Sequence, residues 1–453
     1  MTDLFFRSAT EVAALVRAGR LSAREMADMT LNRIEAVNPA VNAVVESCRS
    51  VALAAGAAAD RAVAGGERVG PLHGVPMTIK EAFPVAGMRS TWGSPQFAGQ
   101  VADRDAAVVR RLRQAGAVLV GTTNVSPMLA DVTQTANEVY GRTVNPWDPA
   151  RSAGGSSGGA AASVAAGLAY LEYGSDLAGS IRIPAAFCGV YGLKPTAGTV
   201  PLTGFHPPGP SVGPSHMAYL SAVGPLARSA GDLRTTLSAT AGPEEPDAAA
   251  YTWRLAPSRH ARLADFRVGV VLDHDGAPVT AEVGRALSDA VDELARAGVT
   301  IVDGWPDGVD PDDQARSFGF EVAQFFAFHG GDPDFATLRQ VVEQHDRRMA
   351  ARAAWQRHFA EVDVFLCPAT FTIAFPHPVT SDLERVHHQL AFWIAHASLA
   401  GLPAVSAPIG RASGGLPVGA QIIGPSHEDD TPITFAELAA EVIGGFTAPP
   451  VPG

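Results

Sequence analysis

Polar and apolar positions in this chain switch repeatedly between a helical period and a strand period. Ser22 with Glu25 forms a helix-start pair, the apolar spacing continues from Ala23, and Asn38-Pro39 is read as its stop. An Ala-rich stretch over 50–64 predicts a second helix. Val75-Pro76-Met77-Thr78-Ile79-Lys80 then alternates with β-branched content, which predicts a strand ending at the lysine. Next, Asp105 is placed to cap a helix over Ala106–Ala115, Gly116 stops it, and Val118-Leu119-Val120 follows as a strand. The same helix-to-strand step is read at 282–303, and from 340–360 into Val362-Asp363-Val364-Phe365-Leu366. Apolar runs at 404–408 and 417–423 precede a last helix near 433–443.

Such alternation predicts an α/β protein: a single large domain with a central mixed β-sheet surrounded by α-helices. Within residues 1–453, the stretch 1–66 reads as N-terminal helices, 67–230 as the part holding the candidate chemistry, and 231–453 as the remainder of the α/β domain. No short repeat is present, which argues against solenoids and propellers. Pro201 to Tyr219 holds too much Pro and Gly for regular structure, yet Phe205, Met217 and Tyr219 give it apolar contacts. It reads either as a mobile, substrate-facing segment or as a rigid surface connection.

Composition narrows the function. The 453 residues are 47% hydrophobic and 18% charged, enough apolar material for a large core. A formal net charge of −12 argues against a nucleic acid or an anionic membrane as partner. The start, MTDLFFRSAT, has no basic segment followed by an apolar run, and no stretch reaches membrane-spanning length, so a cytoplasmic protein is expected. Cys48, Cys188 and Cys367 are few, odd in number and far apart, which predicts free thiols. The histidines form no close ligand cluster, so neither a metal nor a cofactor is expected.

The candidate chemistry lies in two small-residue turns. Ser152-Ala153-Gly154-Gly155-Ser156-Ser157-Gly158-Gly159 precedes the helix-prone Ala160–Gly167, so the chain can turn sharply into a helix N-terminus. A flexible linker, a phosphate-binding loop and the nucleophile elbow of α/β-hydrolases are alternatives. The phosphate loop lacks its Gly-Lys-Ser/Thr ending, and the elbow lacks its preceding apolar strand, having Asp148-Pro149-Ala150-Arg151 instead. Beyond it comes Gly174-Ser175-Asp176-Leu177-Ala178-Gly179-Ser180-Ile181-Arg182, a second turn centred on a serine.

With Lys80 at a strand end, these two turns make the chain resemble the amidase signature family. The resemblance extends through Gly141 to Asp148, Cys188 to Thr196, Gly224 to Ser229, Gly401 to Ala404 and Gly415 to Pro425, almost the whole chain. It implies a triad of Lys80, Ser156 and Ser180, with a cis peptide bond before Ser156 and Ser180 as nucleophile. Two departures stand out: Glu81 follows the lysine where the family often has Asp, and Ala178-Gly179 replaces a common glycine pair.

A serine hydroxyl needs a base, and an ordinary lysine, with a pKa of about 10.4, becomes one only when burial lowers that value. Lys80 is therefore expected in a dry pocket, with Ser156 bridging it to Ser180. The backbone amides of Leu177, Ala178, Gly179 and Ser180 are the expected oxyanion donors. Ser157, Asp176 and Arg182 are expected to support the loops, and Met128, Gly155 and Phe205 to touch substrate. Phe318, Phe320, Phe325, Phe326 and Phe328, with Trp393, read as core or as the wall of an apolar pocket.

The implied reaction is hydrolysis of small, neutral or apolar amides, with carbamates or aryl-acylamides open to the same triad. A glutaminase component of a tRNA-dependent amidotransferase is the further alternative. A monomer or homodimer is expected.

Overall fold

The computed structural model describes residues 2–208, 220–330, 332, 334–377 and 382–450. In chain order the strands are β1 (Val44–Ser47), β2 (Pro76–Lys80), β3 (Val118–Thr123), the short ribbon strands β4 (Ala136–Asn137), β5 (Gly141–Arg142), β6 (Val144–Asn145) and β7 (Asp148–Ser152), then β8 (Leu171–Asp176), β9 (Tyr191–Lys194), β10 (Ala222–Ala227), β11 (Arg267–Val270), β12 (Thr300–Asp303), β13 (Val364–Pro368), β14 (Ala404–Arg411) and β15 (Pro417–Ile423). Eleven of them join edge to edge in the order β1-β3-β2-β8-β10-β9-β14-β15-β13-β11-β12. β2 runs parallel to β3 and β8, and β11 parallel to β12 and β13; the other pairs are antiparallel. This is the single α/β domain with a mixed sheet that the alternation predicts.

Every residue of β2, β8, β9, β10, β13 and β15 is buried, because helices cover both faces of the central sheet. The outer helix Ala281–Arg296 is amphipathic and buries Val283, Leu287, Ala290 and Leu294. The helices Gly158–Ala165 and Arg182–Cys188 are buried on every side, which fits their small and apolar residues. Both lead directly out of the two serine turns.

Three local expectations need correction. The helix Ala23–Val41 passes through Pro39 before stopping; Asn42 caps it at φ +53°, and the Asn38 side chain holds the exit by accepting from the amides of Ala43 and Val44. Asp105 does not cap the helix Ala107–Gln114, because its carboxylate accepts from the Ala86 amide at 2.8 Å and pairs with Arg113 at 3.0 Å. Two long helices, Pro311–Gly330 and Leu383–Ala400, were not foreseen; the second is buried over most of its surface, which erases a polar face.

Residues 201–208 are irregular, while 209–219, with Met217 and Tyr219, lie outside the described residues. Cys188 and Cys367 are buried and Cys48 is half-buried, all three as free thiols. Among the described residues no helix is long and apolar enough to cross a membrane, and no His/Cys/Asp/Glu group is arranged to hold a metal.

Candidate active site

Lys80 ends β2, held between β3 and β8, and has no solvent exposure. Its Nζ lies 2.6 Å from Ser156 Oγ, 2.8 Å from Ser157 Oγ and 2.9 Å from Ser175 Oγ. Burial disfavours the ammonium and brings its pKa down to about 7, although Asp176 and Glu172 pull the other way. Near neutral pH much of Lys80 is therefore an amine, able to accept a proton from a hydroxyl.

Ser156 stands at the entry to the helix Gly158–Ala165, after a cis Gly155–Ser156 peptide. Gly155 has no room for a side chain: a Cβ there would lie 2.3 Å from the Asp131 carbonyl oxygen and 2.5 Å from that of Gln134. The Ser157 amide donates to the Ser180 carbonyl at 3.2 Å, which ties the two serine turns together.

Asp176 shapes the turn that carries Ser180. Its carboxylate accepts from the amides of Gly179 (2.9 Å), Ile181 (3.1 Å) and Arg182 (3.3 Å), and from the Arg182 side chain at 2.9 and 2.8 Å. Both members of this ion pair are fully buried. Burial alone would raise the Asp176 pKa, but Arg182 and the amides win and hold it at about 2. Arg182 in turn donates to the Ile394 carbonyl, Gln421 Oε1 and Ser398 Oγ, so the turn is anchored to the far half of the sheet. Because the Gly179 amide is occupied by Asp176, the amides of the turn without a partner among the described residues are those of Leu177, Ala178 and Ser180.

Glu81 accepts from the amides of Thr91 and Trp92 and from the Tyr140 hydroxyl. Its longer side chain thus secures the 91–92 turn, and burial pushes its pKa up to about 7. Trp92 packs on Phe205 at 5.3 Å, and Phe205 on Phe83 at 5.2 Å.

Ser156, Ser175 and Ser180 open onto one cavity of about 310 Å³. Its wall includes Met128, Leu177, Phe205, Phe318, Phe325 and Phe326. Among the described lining residues His387 is the sole ionisable side chain, and Asp131 lies 3.9 Å from it. The volume and apolar wall suit a small organic molecule with few charges.

Fold geometry therefore brings Lys80, Ser156, Ser157, Ser180, Asp176 and Arg182 together, and places Met128 and Phe205 on the cavity wall. Gly155, expected to touch substrate, is not among the lining residues, because the Asp131 and Gln134 backbone covers it. The aromatic run divides: Phe318, Phe325 and Phe326 face the cavity, Phe320 packs on Phe335, and Trp393 is core, donating to the Ala277 carbonyl. The Phe328 side chain lies outside the described residues. Sequence reasoning missed Ser175 and His387. It also missed Glu172, a buried carboxyl whose only signal was an acidic residue inside an apolar strand.

The family model Amidase matches residues 25–328 and 307–432. The chain is 34% identical to an indoleacetamide hydrolase of Bradyrhizobium diazoefficiens, covering 95% of this chain and 85% of that protein. It is also 34% identical to a glutamyl-tRNA(Gln) amidotransferase subunit from Thermosynechococcus vestitus, covering 92% and 94%. Among solved structures, 6-aminohexanoate cyclic dimer hydrolase complexed with substrate superposes with a TM-score of 0.82 at 28% identity, covering 98% and 99%.

Proposed function

Because this chain belongs to the amidase signature family and is an amide-hydrolysing enzyme, we propose that it cleaves small, neutral or apolar amides through an acyl-enzyme on Ser180. The observation that carries the reading is Lys80: fully buried, brought to about pKa 7, and 2.6 Å from Ser156 beside an apolar cavity that Ser180 lines.

In the proposed sequence neutral Lys80 takes the Ser156 proton while Ser156 takes that of Ser180, whose oxygen attacks the substrate carbonyl. Negative charge then develops on the carbonyl oxygen, and the amides of Leu177, Ala178 and Ser180, which have no partner among the described residues, are the donors that would meet it. Running the relay backwards delivers a proton to the nitrogen, which leaves as an amine. Water repeats the path to release the acid and free Ser180. Carbamates and aryl-acylamides present the same carbonyl and nitrogen, so they belong to the same substrate range. In this reading the enzyme acts as a monomer or homodimer in the cytoplasm.

The amidotransferase relatives favour glutamine as a second reading. Free glutamine carries an α-ammonium and an α-carboxylate, and a dry site must pair both. No Asp, Glu, Lys or Arg stands among the described lining residues, which speaks against it.

The test is a panel of a p-nitroanilide, an aliphatic amide, an aryl carbamate and glutamine, with wild type, Lys80→Ala and Ser180→Ala. Turnover of the neutral substrates that both substitutions abolish is expected. Activity surviving Ser180→Ala overturns the nucleophile, and turnover of glutamine alone replaces this reading with the second.

A further inference from the structure

Glu172 is a fully buried carboxyl that the relay above does not use. We propose that it is the charge-compensating partner of Lys80, a positioning residue whose carboxylate steadies the ammonium formed when Lys80 takes the proton of Ser156. The inference rests on the Lys80, Ser156 and Ser180 reading.

Sheet register puts the two groups on one face. Met77 of β2 pairs with Leu171 of β8, so Glu172 stands beside Thr78, and strand alternation brings Lys80 to the same side as Thr78. The helix Gly158–Ala165 covers that face, with Ser163 Oγ 3.2 Å from Thr78 Oγ1. Gly174, two residues past Glu172, lets its neighbours close in: a Cβ there would lie 3.0 Å from Ser157 Oγ and from Leu226 Cδ1, and 3.2 Å from Ile181 Cγ1. By strand alternation Glu172 and Asp176 thus sit on the Lys80 side of β8, with Gly174 between them.

Their charges are handled differently. Asp176 is matched by Arg182 and three amides, with Lys194 of β9 acting on it from further away. Glu172 Oε1 accepts from Thr123 Oγ1 at 3.3 Å and its Oε2 makes no hydrogen bond among the described residues, while the nearby Thr78 hydroxyl and Tyr173 amide also favour the carboxylate. The other neighbours on this face present hydroxyls (Thr78, Ser163, Ser156, Ser157), and β10 sets Leu226 opposite Glu172. Lys80 is the cation whose field reaches Glu172; Asp176 acts on Lys80 more strongly than Glu172 does, but its own charge is already matched by Arg182.

A carboxylate left in such a place is costly without a cation, and a cation created there is costly without a carboxylate. The relay creates that cation for part of each turnover, when the proton moves from Ser156 to Lys80. Burial pushes the two groups in opposite directions, Lys80 down and Glu172 up, so their ionisations fall close together. As pH rises, Lys80 becomes free to act as base, and ionised Glu172 then strengthens that base. The kcat profile rises in two steps.

The experiment measures kcat and KM against pH for the full chain with a p-nitroanilide, comparing wild type, Glu172→Gln, Thr123→Val and Ser180→Ala. Glu172→Gln is expected to keep KM, lower the alkaline kcat plateau about tenfold, the effect of roughly one unit of lysine basicity, and leave a single ionisation. Thr123→Val keeps the carboxyl but removes its donor, so the upper ionisation moves to higher pH. A Glu172→Gln profile that superposes on wild type overturns the proposal. If that variant does not fold, an unshifted Thr123→Val profile overturns it instead. Turnover retained in Ser180→Ala fails the serine reading itself, whereas an inactive Ser180→Ala beside an unaltered Glu172→Gln fails only the role of Glu172.

Discussion

Lys80 Nζ stands 2.6 Å from Ser156 Oγ in a pocket that gives the lysine no solvent exposure. Distance and dryness act together here: the first lets a proton pass, and the second leaves a lone pair to receive it. The sign of the pH dependence follows, since the amine is the working form in the proposed relay and burial has moved its pKa from 10.5 down to about 7. Below that value kcat/KM is expected to fall about tenfold per pH unit, and Lys80→Met removes the activity at every pH. A pH–rate profile checks this; a limb near the ordinary lysine value contradicts it.

Arg182 and Asp176 form an ion pair with both side chains fully buried. Removing only the arginine strands a carboxylate in the core and frees the turn that carries Ser180. Arg182→Met is expected to cost about 3–5 kcal/mol of stability, measured by urea unfolding. Unchanged stability would mean that water takes the place of the guanidinium.

At Gly155 the added Cβ of alanine meets two backbone carbonyl oxygens, at 2.3 and 2.5 Å, and backbone cannot swing aside as a side chain can. The Ser156 hydroxyl must therefore shift from Lys80. Gly155→Ala is expected to reduce kcat roughly 10²-fold through misplacement of a reacting group, with KM for a neutral amide little altered. Steady-state kinetics decide; wild-type kcat would show that the 131–134 segment yields.

Phe326 lines the cavity while remaining 45% exposed, so it adds binding surface without holding up the core. Phe326→Ala is expected to raise KM for an apolar amide about fivefold, equivalent to roughly 1 kcal/mol of partly buried ring, at nearly constant kcat. Thermal unfolding should be almost unchanged. A large fall in melting temperature would instead assign the ring to the core.

The sequence made visible whatever is encoded by neighbours in the chain. The strand Pro417–Ile423 has the limits of its apolar run, and Lys80 ends a strand as the Val75–Lys80 alternation requires. Both serine turns were legible because glycine and small residues mark sharp backbone locally. The cavity wall was legible in part: Met128 and Phe205 were expected there and the run around Phe318 was open to that role, but His387 joins Ser180 on the cavity only through the packing of a distant helix. Helix Leu383–Ala400 escaped because a helix buried over most of its surface has no polar face to set a period. Asp105 misled for a related reason: a carboxylate near a helix start can cap it, but Ala86 and Arg113 outcompete that role from outside the segment. Glu172 lay in plain view, yet only strand register reveals that it shares a face with Lys80.

The order of the sheet also bears on how the chain is made. β14 and β15, the last strands in sequence, lie in the middle, between β9 and β13. Until residues 404–423 leave the ribosome, β9 and β13 are unpaired edges of two separate sheets, the kind of edge that recruits other chains. Arg182 likewise waits for Gln421, one of its acceptors, from β15. A growing chain thus carries the Ser180 turn long before it can close the sheet, and chaperone dependence and aggregation on the ribosome should be concentrated in that interval.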